Sequence, residues 1–275
     1  MIDQREIDLL RYLLRSNEGT PLTDLRDQIG GDAAVLQAVI EGLERDGYRF
    51  DKTGQSIRLL SEPDAVRSQS IAARLTAETI GREIYVFRET TSTNDLGRRA
   101  GIGKAVEGVV FFAERQTAGR GTRGRNWVSQ PNQGLWFSIL LRSSLPVDQW
   151  PALVQMGALA SVETAEQWVD APVGIKPPND LVLAGGKLAG FLLETSNAWN
   201  FQVLGIGINV RSAPQIEGYP TSALDAFSKS PVPLAALAAE ILNRFEEWYL
   251  RRPIESMASA FEARVKRTVA SIDCE

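Results

Sequence analysis

Histidine is absent from all 275 residues, and cysteine occurs once. Without imidazole there is no Ser-His-Asp or Cys-His arrangement, no imidazole metal site and no imidazole general base. A single thiol, Cys274, excludes an internal disulfide and a multi-cysteine zinc site, and its place beside the last residue argues against a nucleophile held in a cleft. No uninterrupted apolar run reaches the roughly 18 residues of a membrane span. The opening MIDQREIDLLRYLL carries charges through what would be the core of a signal peptide. A cytoplasmic protein without membrane contact is therefore expected. Nor is the chain basic: its formal net charge of -4 excludes a surface built as a whole for nucleic acid or anionic membrane. Any anion site must be a local concentration of arginine.

What is there is ordinary for a globular chain of about two domains, with 44% hydrophobic and 23% charged residues. Residues 4–16 carry the apolar stripe of an amphipathic helix, and 22–29 a second helix that ends at Gly30-Gly31. Asp32 caps a third helix running to Arg45, and 47–60 suggests a small hairpin. Helix, helix, helix and wing is a winged helix-turn-helix order. A polar linker, 61–70, leads to an expected short helix over 71–80. Strands are expected at 84–87, 133–141 and 201–210, and helices at 150–169, 234–250 and 255–261. The fold class is α+β or α/β.

Over residues 1–60 there are eight basic and eleven acidic side chains, a net of -3, and the third helix has no cation before Arg45. Phosphate contacts dominate DNA affinity, so sequence-specific binding needs Arg26, Arg45, Arg49, Lys52 and Arg58 to gather on one face. A purely structural or protein-binding module is the alternative.

The chemistry concentrates in 114–127, ERQTAGRGTRGRNW, where four arginines and three glycines follow an apolar run. Glycine lets backbone approach a ligand, and Arg120, Arg123 and Arg125 can supply charge-assisted donors to phosphate or carboxylate. A basic surface loop or a nucleic-acid contact would have the same composition. Further on, Gly185-Gly186 lies between two apolar runs, a hairpin signal. If Ala184 opposes Lys187 and Asp180 opposes Phe191, strict alternation puts Asp180 and Lys187 on one face about 13 Å apart, too far for a salt bridge but able to bracket a ligand. A solvated lysine at a turn is the ordinary alternative.

With STND at 92–95, GRGTRGRNW at 119–127, PNDLVLAGGKLAGFLLE at 178–194 and GIGINV at 205–210, the chain resembles the biotin protein ligases, in particular the bacterial bifunctional ligase/repressor form. The resemblance implies a winged helix over 1–62, a linker and helix over 63–82, a biotin/lipoate-ligase-like mixed-sheet catalytic domain over 83–262, and the remnant of a small carboxy-terminal barrel over 263–275. It implies ATP and Mg2+ as cofactors, biotin as substrate and biotin carboxyl carrier protein of acetyl-CoA carboxylase as acceptor partner. It also admits a homodimer and operator DNA. Carried over residue by residue, Ser92, Thr93, Asn94, Gln116, Gly119, Arg120, Gly121, Thr122 and Lys187 would bind biotin. Arg120, Arg123, Arg125, Trp127, Asn179 and Asn209 would bind the nucleotide. Lys187, Arg120 and Asp180 would be catalytic, with Asp180 also a magnesium ligand. The absences agree, because activating a carboxylate with ATP needs alignment and charge stabilisation rather than an imidazole.

Three departures stand out. Lys176-Pro177-Pro178-Asn179-Asp180 has an imino ring where the family has tryptophan. Thr122 replaces a cation, which implies a looser hold on an adenylate. The barrel is missing except for FEARVKRTVAS, expected as its first strand. Lipoate ligases and octanoyl transferases, whose histidine loop or cysteine nucleophile cannot be made from this chain, are the nearest rivals. A biotin-sensing regulator with a catalytically weak ligase domain is a rival of another class.

Overall fold

The computed structural model describes residues 3–16 and 18–272, with side chains through Val265. Cys274, read above as a bystander, lies outside the described residues. The chain forms two compact units, Met1–Arg74 and Leu75–Glu275.

The first unit runs α1 (Gln4–Leu13), β1 (Thr20–Pro21), α2 (Leu22–Ile29), α3 (Ala33–Arg45), β2 (Arg49–Thr53), β3 (Ser56–Ser61) and α4 (Ser68–Ala72). Asp3 and Asp32 accept the exposed N–H of Arg5 and Val35 at the starts of α1 and α3, and α2 ends on Gly30 in the left-handed region. Leu9, Leu10, Leu25, Leu43 and Ile57 close one small core, over a three-stranded sheet of order β1-β3-β2. Two cations of the hairpin do not stand free: Lys52 pairs with Glu44 at 2.8 Å and Arg58 with Asp51 at 3.5 Å.

The second unit runs β4 (Glu83–Thr90), α5 (Thr93–Ile102), β5 (Val109–Gln116), β6 (Gly134–Leu141), α6 (Pro151–Ala165), β7 (Val173–Lys176), β8 (Asp180–Leu183), β9 (Gly186–Ser196), β10 (Phe201–Asn209), α7 (Leu234–Glu246) and α8 (Ile254–Ile272). Its seven strands form one mixed sheet, β4-β5-β6-β10-β9-β8-β7, in which β4–β5 is parallel and the other pairs antiparallel. The central strands β6 and β10 are buried at every residue, as their predominantly apolar sequences require when both faces are covered. Adjacent residues of β10 point to opposite faces. Val203 meets α5 at Gly97 and Leu204 meets α6 at Gly157, so the sheet lies between two helical layers.

Three expectations are corrected. Residues 73–80 are not helical. The backbone N–H groups of Thr76 and Ala77 go to Asn243 Oδ1, and those of Glu78, Thr79 and Ile80 to the carboxylate of Glu246. Side chains of α7 thus take the donors that a helix would use. FEARVKRTVAS is not a barrel strand but part of α8; residues 273–275 of the expected remnant lie outside the described residues. The β8–β9 turn is Ala184-Gly185, at φ +47° and +74°, rather than Gly185-Gly186. Gly186 is a strand residue opposite Leu183, where a Cβ would lie 2.7 Å from the backbone carbon of Thr221.

Candidate active site

The site is built where β4 and β5 end side by side, Thr90 paired with Gln116. Ser92 caps α5 and accepts the N–H of Asn94 at 3.3 Å. Gln116 turns back to the same turn: its Oε1 accepts the N–H of Thr93 at 2.8 Å, and its Nε2 donates to Ser129 Oγ at 2.8 Å. Ser92, Thr93 and Asn94 are each 3% exposed although polar, so their remaining capacity faces the protein or a ligand rather than bulk water.

The Gly/Arg stretch after β5 is a small hairpin. Trp127 N–H donates to Gly119 O at 2.8 Å, Gly121 N–H donates to Arg125 O at 2.7 Å, and Arg123 (φ +57°) and Gly124 (φ +72°) turn the tip. Gly119 is fitted to this hairpin, since a Cβ there would lie 2.4 Å from Trp127 O. Arg120 donates through Nη2 to Asp95 at 2.9 Å and to Glu194 at 3.1 Å. The Asp95 hydrogen bond is foremost in holding the guanidinium firmly charged. Burial pushes the Asp95 carboxyl up, but hydrogen bonds from Arg120 and Thr91 outweigh it and hold the group below its ordinary range. Arg125 donates to Thr122 Oγ1 at 3.1 Å.

At the other end of the site, Lys187 Nζ lies 2.7 Å from Asp180 Oδ1, with side chains 18% and 11% exposed. This corrects the 13 Å separation and the exclusion of a salt bridge. The pairing slips between Leu181 and Val182, so Lys187 opposes Val182 while Asp180 opposes Gly190. Val182 and Asp180 share a face, and the flexible lysine stem spans the one repeat between them. Lys187 Nζ is also 5.4 Å from the centre of the Trp127 ring. That indole lies on strand backbone: a Cβ at Gly207 would come within 2.5 Å of it and one at Gly190 within 2.9 Å. Asn179 donates to Phe191 O at 2.8 Å, and Asn209 donates to Lys187 O and Ser222 O. Trp127 Nε1, a donor, and Asn209 Oδ1, an acceptor, are buried with no protein partner. Both residues line the same cavity, and such groups are costly unless a ligand satisfies them.

That cavity encloses about 370 Å³ and runs from the Ser92 turn to Lys187. Of the residues expected from the sequence, Ser92, Thr93, Asn94, Gln116, Arg120, Gly121, Thr122, Arg125, Trp127, Asn179, Lys187 and Asn209 line it, while Gly119, Arg123 and Asp180 do not. Several contributors escaped the sequence reading. Asp95 and Glu194 engage Arg120 across 25 and 74 residues of chain. The 212–222 segment supplies Pro214, Ile216, Tyr219 and Thr221 to the wall and bonds the backbone of Lys187 through Pro220 O and Ser222 N–H. It carries no motif. Ser138, wholly buried in an otherwise apolar strand, had that incongruity as its only signal.

Residues 86–210 match the family described as Biotin/lipoate A/B protein ligase family. A biotin–acetyl-CoA-carboxylase ligase of Mycobacterium tuberculosis is 36% identical over 192 residues, covering 66% of this chain and 71% of that protein. The bifunctional ligase/repressor BirA of Bacillus subtilis is 29% identical over 234 residues, 82% of this chain and 72% of its own length. Among solved structures, a biotin protein ligase from Aquifex aeolicus in complex with biotin and ATP superposes with a TM-score of 0.57 at 26% identity, over 66% of this chain and 78% of that one.

Proposed function

Since the chain belongs to the biotin/lipoate A/B protein ligase family, we propose that it is an ATP-dependent biotin protein ligase. In this reading the biotin carboxylate attacks the α-phosphorus of ATP, forming biotinyl-5'-adenylate and expelling pyrophosphate. The amine of a lysine on the biotin carboxyl carrier protein of acetyl-CoA carboxylase then attacks the acyl carbon, and AMP leaves. The observation that carries the reading is one cavity with two chemically different ends: neutral hydroxyl and amide groups at Ser92, Thr93 and Gln116, and a cation with an aromatic face at Lys187 and Trp127. The first end suits a cyclic urea, the second an anionic acyl phosphate beside a nucleobase.

Lys187 stabilises the biotin carboxylate and then the charge developing on phosphorus, while Trp127 and Asn209 receive the nucleotide. Asp180 does not fit as the centre of a resident magnesium site. No group of three or more acidic, His or Cys side chains gathers among the described residues, and the Lys187 ammonium already sits on its carboxylate. Magnesium is bound through substrate phosphates when proteins supply few carboxylates. In our reading it enters with the triphosphate, and Asp180 is the counter-ion that aims Lys187. No described helix is long and apolar enough to cross a membrane, and we place the reaction in the cytoplasm with its substrates.

The name of the Bacillus subtilis relative adds repression. The first unit has the helix order for it, but Lys52 and Arg58 are paired with acids. We therefore put ligation first and operator binding and a homodimer second; a salt titration of duplex binding by the full chain tests the former and sedimentation the latter. The ligase reading is tested by incubating the chain with biotin, ATP-Mg and a carrier domain, following pyrophosphate and carrier mass, with lipoate and octanoate in parallel. Turnover with lipoate and none with biotin would overturn it.

A further inference from the structure

Ser138 sits in the middle of β6, wholly buried, between Phe137 and Ile139. A hydroxyl there is costly unless bonded, and its Oγ lies 2.6 Å from Asn94 Oδ1 and 2.7 Å from Thr93 Oγ1. The hydrogen polarity of this cluster is set from its far end. Arg120 can only donate, so the Glu194 carboxylate accepts from it at 3.1 Å and also accepts from Asn94 Nδ2 at 3.1 Å. That turns the Asn94 oxygen toward Ser138. The amide is pressed against the backbone of Gly205, where a Cβ would lie 2.3 Å from Oδ1, and has no room to swing.

An amide oxygen only accepts, so the single hydrogen of Ser138 goes to Asn94. The Thr93 hydroxyl must then supply the hydrogen of the 2.7 Å contact, which is shorter than its 3.2 Å approach to Gln116 Oε1. With its hydrogen used inside the protein, Thr93 faces the cavity with lone pairs alone. Its neighbours keep donors: Ser92 Oγ accepts from Asn94 and retains its own hydrogen, and Gln116 Nε2 spends one of two hydrogens on Ser129.

We propose that Ser138 is a positioning residue for specificity, which fixes Thr93 as a hydrogen-bond acceptor and, through Asn94 and Glu194, ties that end of the cavity to Arg120. The inference rests on the biotin reading and deepens it: Thr93 takes a ureido N–H, while Ser92 and Gln116 address the ureido carbonyl. Without Ser138 the Thr93 hydrogen is no longer fixed: it is free to turn between Gln116 Oε1 at 3.2 Å and the cavity, where a donor meets a donor.

The test compares the full chain with Ser138→Ala and with Ser138→Cys, a near-isosteric but weaker donor. Pyrophosphate release is measured against biotin and against biotin methylated on its ureido nitrogens, with Tm recorded for each protein. Ser138→Ala should raise the KM for biotin by about fivefold to tenfold, the scale of one lost hydrogen bond, with kcat within about twofold. The preference for biotin over the methylated compound should shrink by a similar factor, and Ser138→Cys should fall between. A wild-type KM and an unchanged preference in Ser138→Ala, or in Ser138→Cys if the alanine protein does not fold, would overturn the proposal. Equal losses with both compounds would also overturn it, as a merely structural role. No pyrophosphate release by the unaltered chain with biotin would remove the biotin reading and this inference together.

Discussion

Lys187 Nζ and Asp180 Oδ1 are 2.7 Å apart on one face of the β8–β9 hairpin, beside a cavity that Lys187 lines and Asp180 does not. The carboxylate neutralises the ammonium without entering ligand space, and an incoming anion needs only to share the ammonium. Because one preorganised charge-stabilising donor is worth roughly 10² or more in rate, Lys187→Ala should lose at least about 100-fold in adenylation, read as pyrophosphate release. Truncation also strands a partly buried carboxylate, at a cost of several kcal/mol. Lys187→Ala combined with Asp180→Asn removes that complication and should be equally slow. Near wild-type release by the double variant would refute the assignment.

A second expectation concerns the boundary between the two units. The sequence puts the end of the first at 62, but Ser70 bonds Tyr48 at 2.5 Å and Ala73 belongs to the core of Leu9, Leu10 and Leu43. Removing residues 1–74 should leave a soluble protein that still forms biotinyl-adenylate. Removing only 1–62 strips α4 of the core it packs in and should lower solubility. Loss of adenylation in a folded 75–275 protein would show that the first unit contributes to the reaction.

Much of this was legible in the chain, and the failures share a cause. The hydroxyl turn at 92–94, the Gly/Arg hairpin and the Lys187 strand can be found because each signal is local. Alternation counting missed the Lys187–Asp180 pair because it assumes an unbroken ladder, and the slip after Leu181 breaks it. Residues 71–80 have an apolar pattern that suits a helix, yet acceptors on Asn243 and Glu246, more than 160 residues away, decide otherwise. The carboxylates that occupy Arg120 are equally remote. Close approach at Gly190, Gly205 and Gly207 is likewise decided by remote residues, the chain's own Trp127 and Asn94.

Glu246 gives a pH prediction. It is 2% exposed and accepts the N–H groups of Glu78, Thr79 and Ile80. Burial pushes its carboxyl up, but these backbone bonds outweigh burial and hold it below the ordinary carboxylate range. A depressed folded value means that the stabilisation is complete above the unfolded value of about 4.3 and is lost as pH falls through the folded one. Glu246→Gln should therefore lower Tm at neutral pH, with orphaned donors costing roughly 1–3 kcal/mol each. Its Tm should also fall less steeply than wild type below about pH 4. Parallel acid Tm profiles would refute the role.

The last prediction turns on Thr122, where the family resemblance leads one to expect a cation. Thr122 Oγ1 instead accepts from Arg125 Nη2 at 3.1 Å, and both residues line the cavity. The guanidinium at this wall thus comes from three residues further along and is held through an exposed hydrogen bond, a weaker arrangement than a cation at 122 itself. A charge-assisted hydrogen bond contributes about 1.5 to 3 kcal/mol. At about 1.4 kcal/mol per tenfold, its loss corresponds to roughly 10-fold to 100-fold faster escape of biotinyl-adenylate. Escaped adenylate is a free acylating agent, so the chain should label lysines on itself and on unrelated proteins as well as on its carrier. Thr122→Arg should slow the dissociation of the adenylate and suppress biotin incorporation into an added bystander protein. Thr122→Ala, which removes the Nη2 contact and leaves Arg125 only its Nε bond to the backbone carbonyl of residue 122 at 3.3 Å, should leak faster than the unaltered chain. If Thr122→Arg leaks as much as the unaltered chain, Arg125 already supplies the whole of the missing contact, and the tether from Thr122 is sufficient to hold it there.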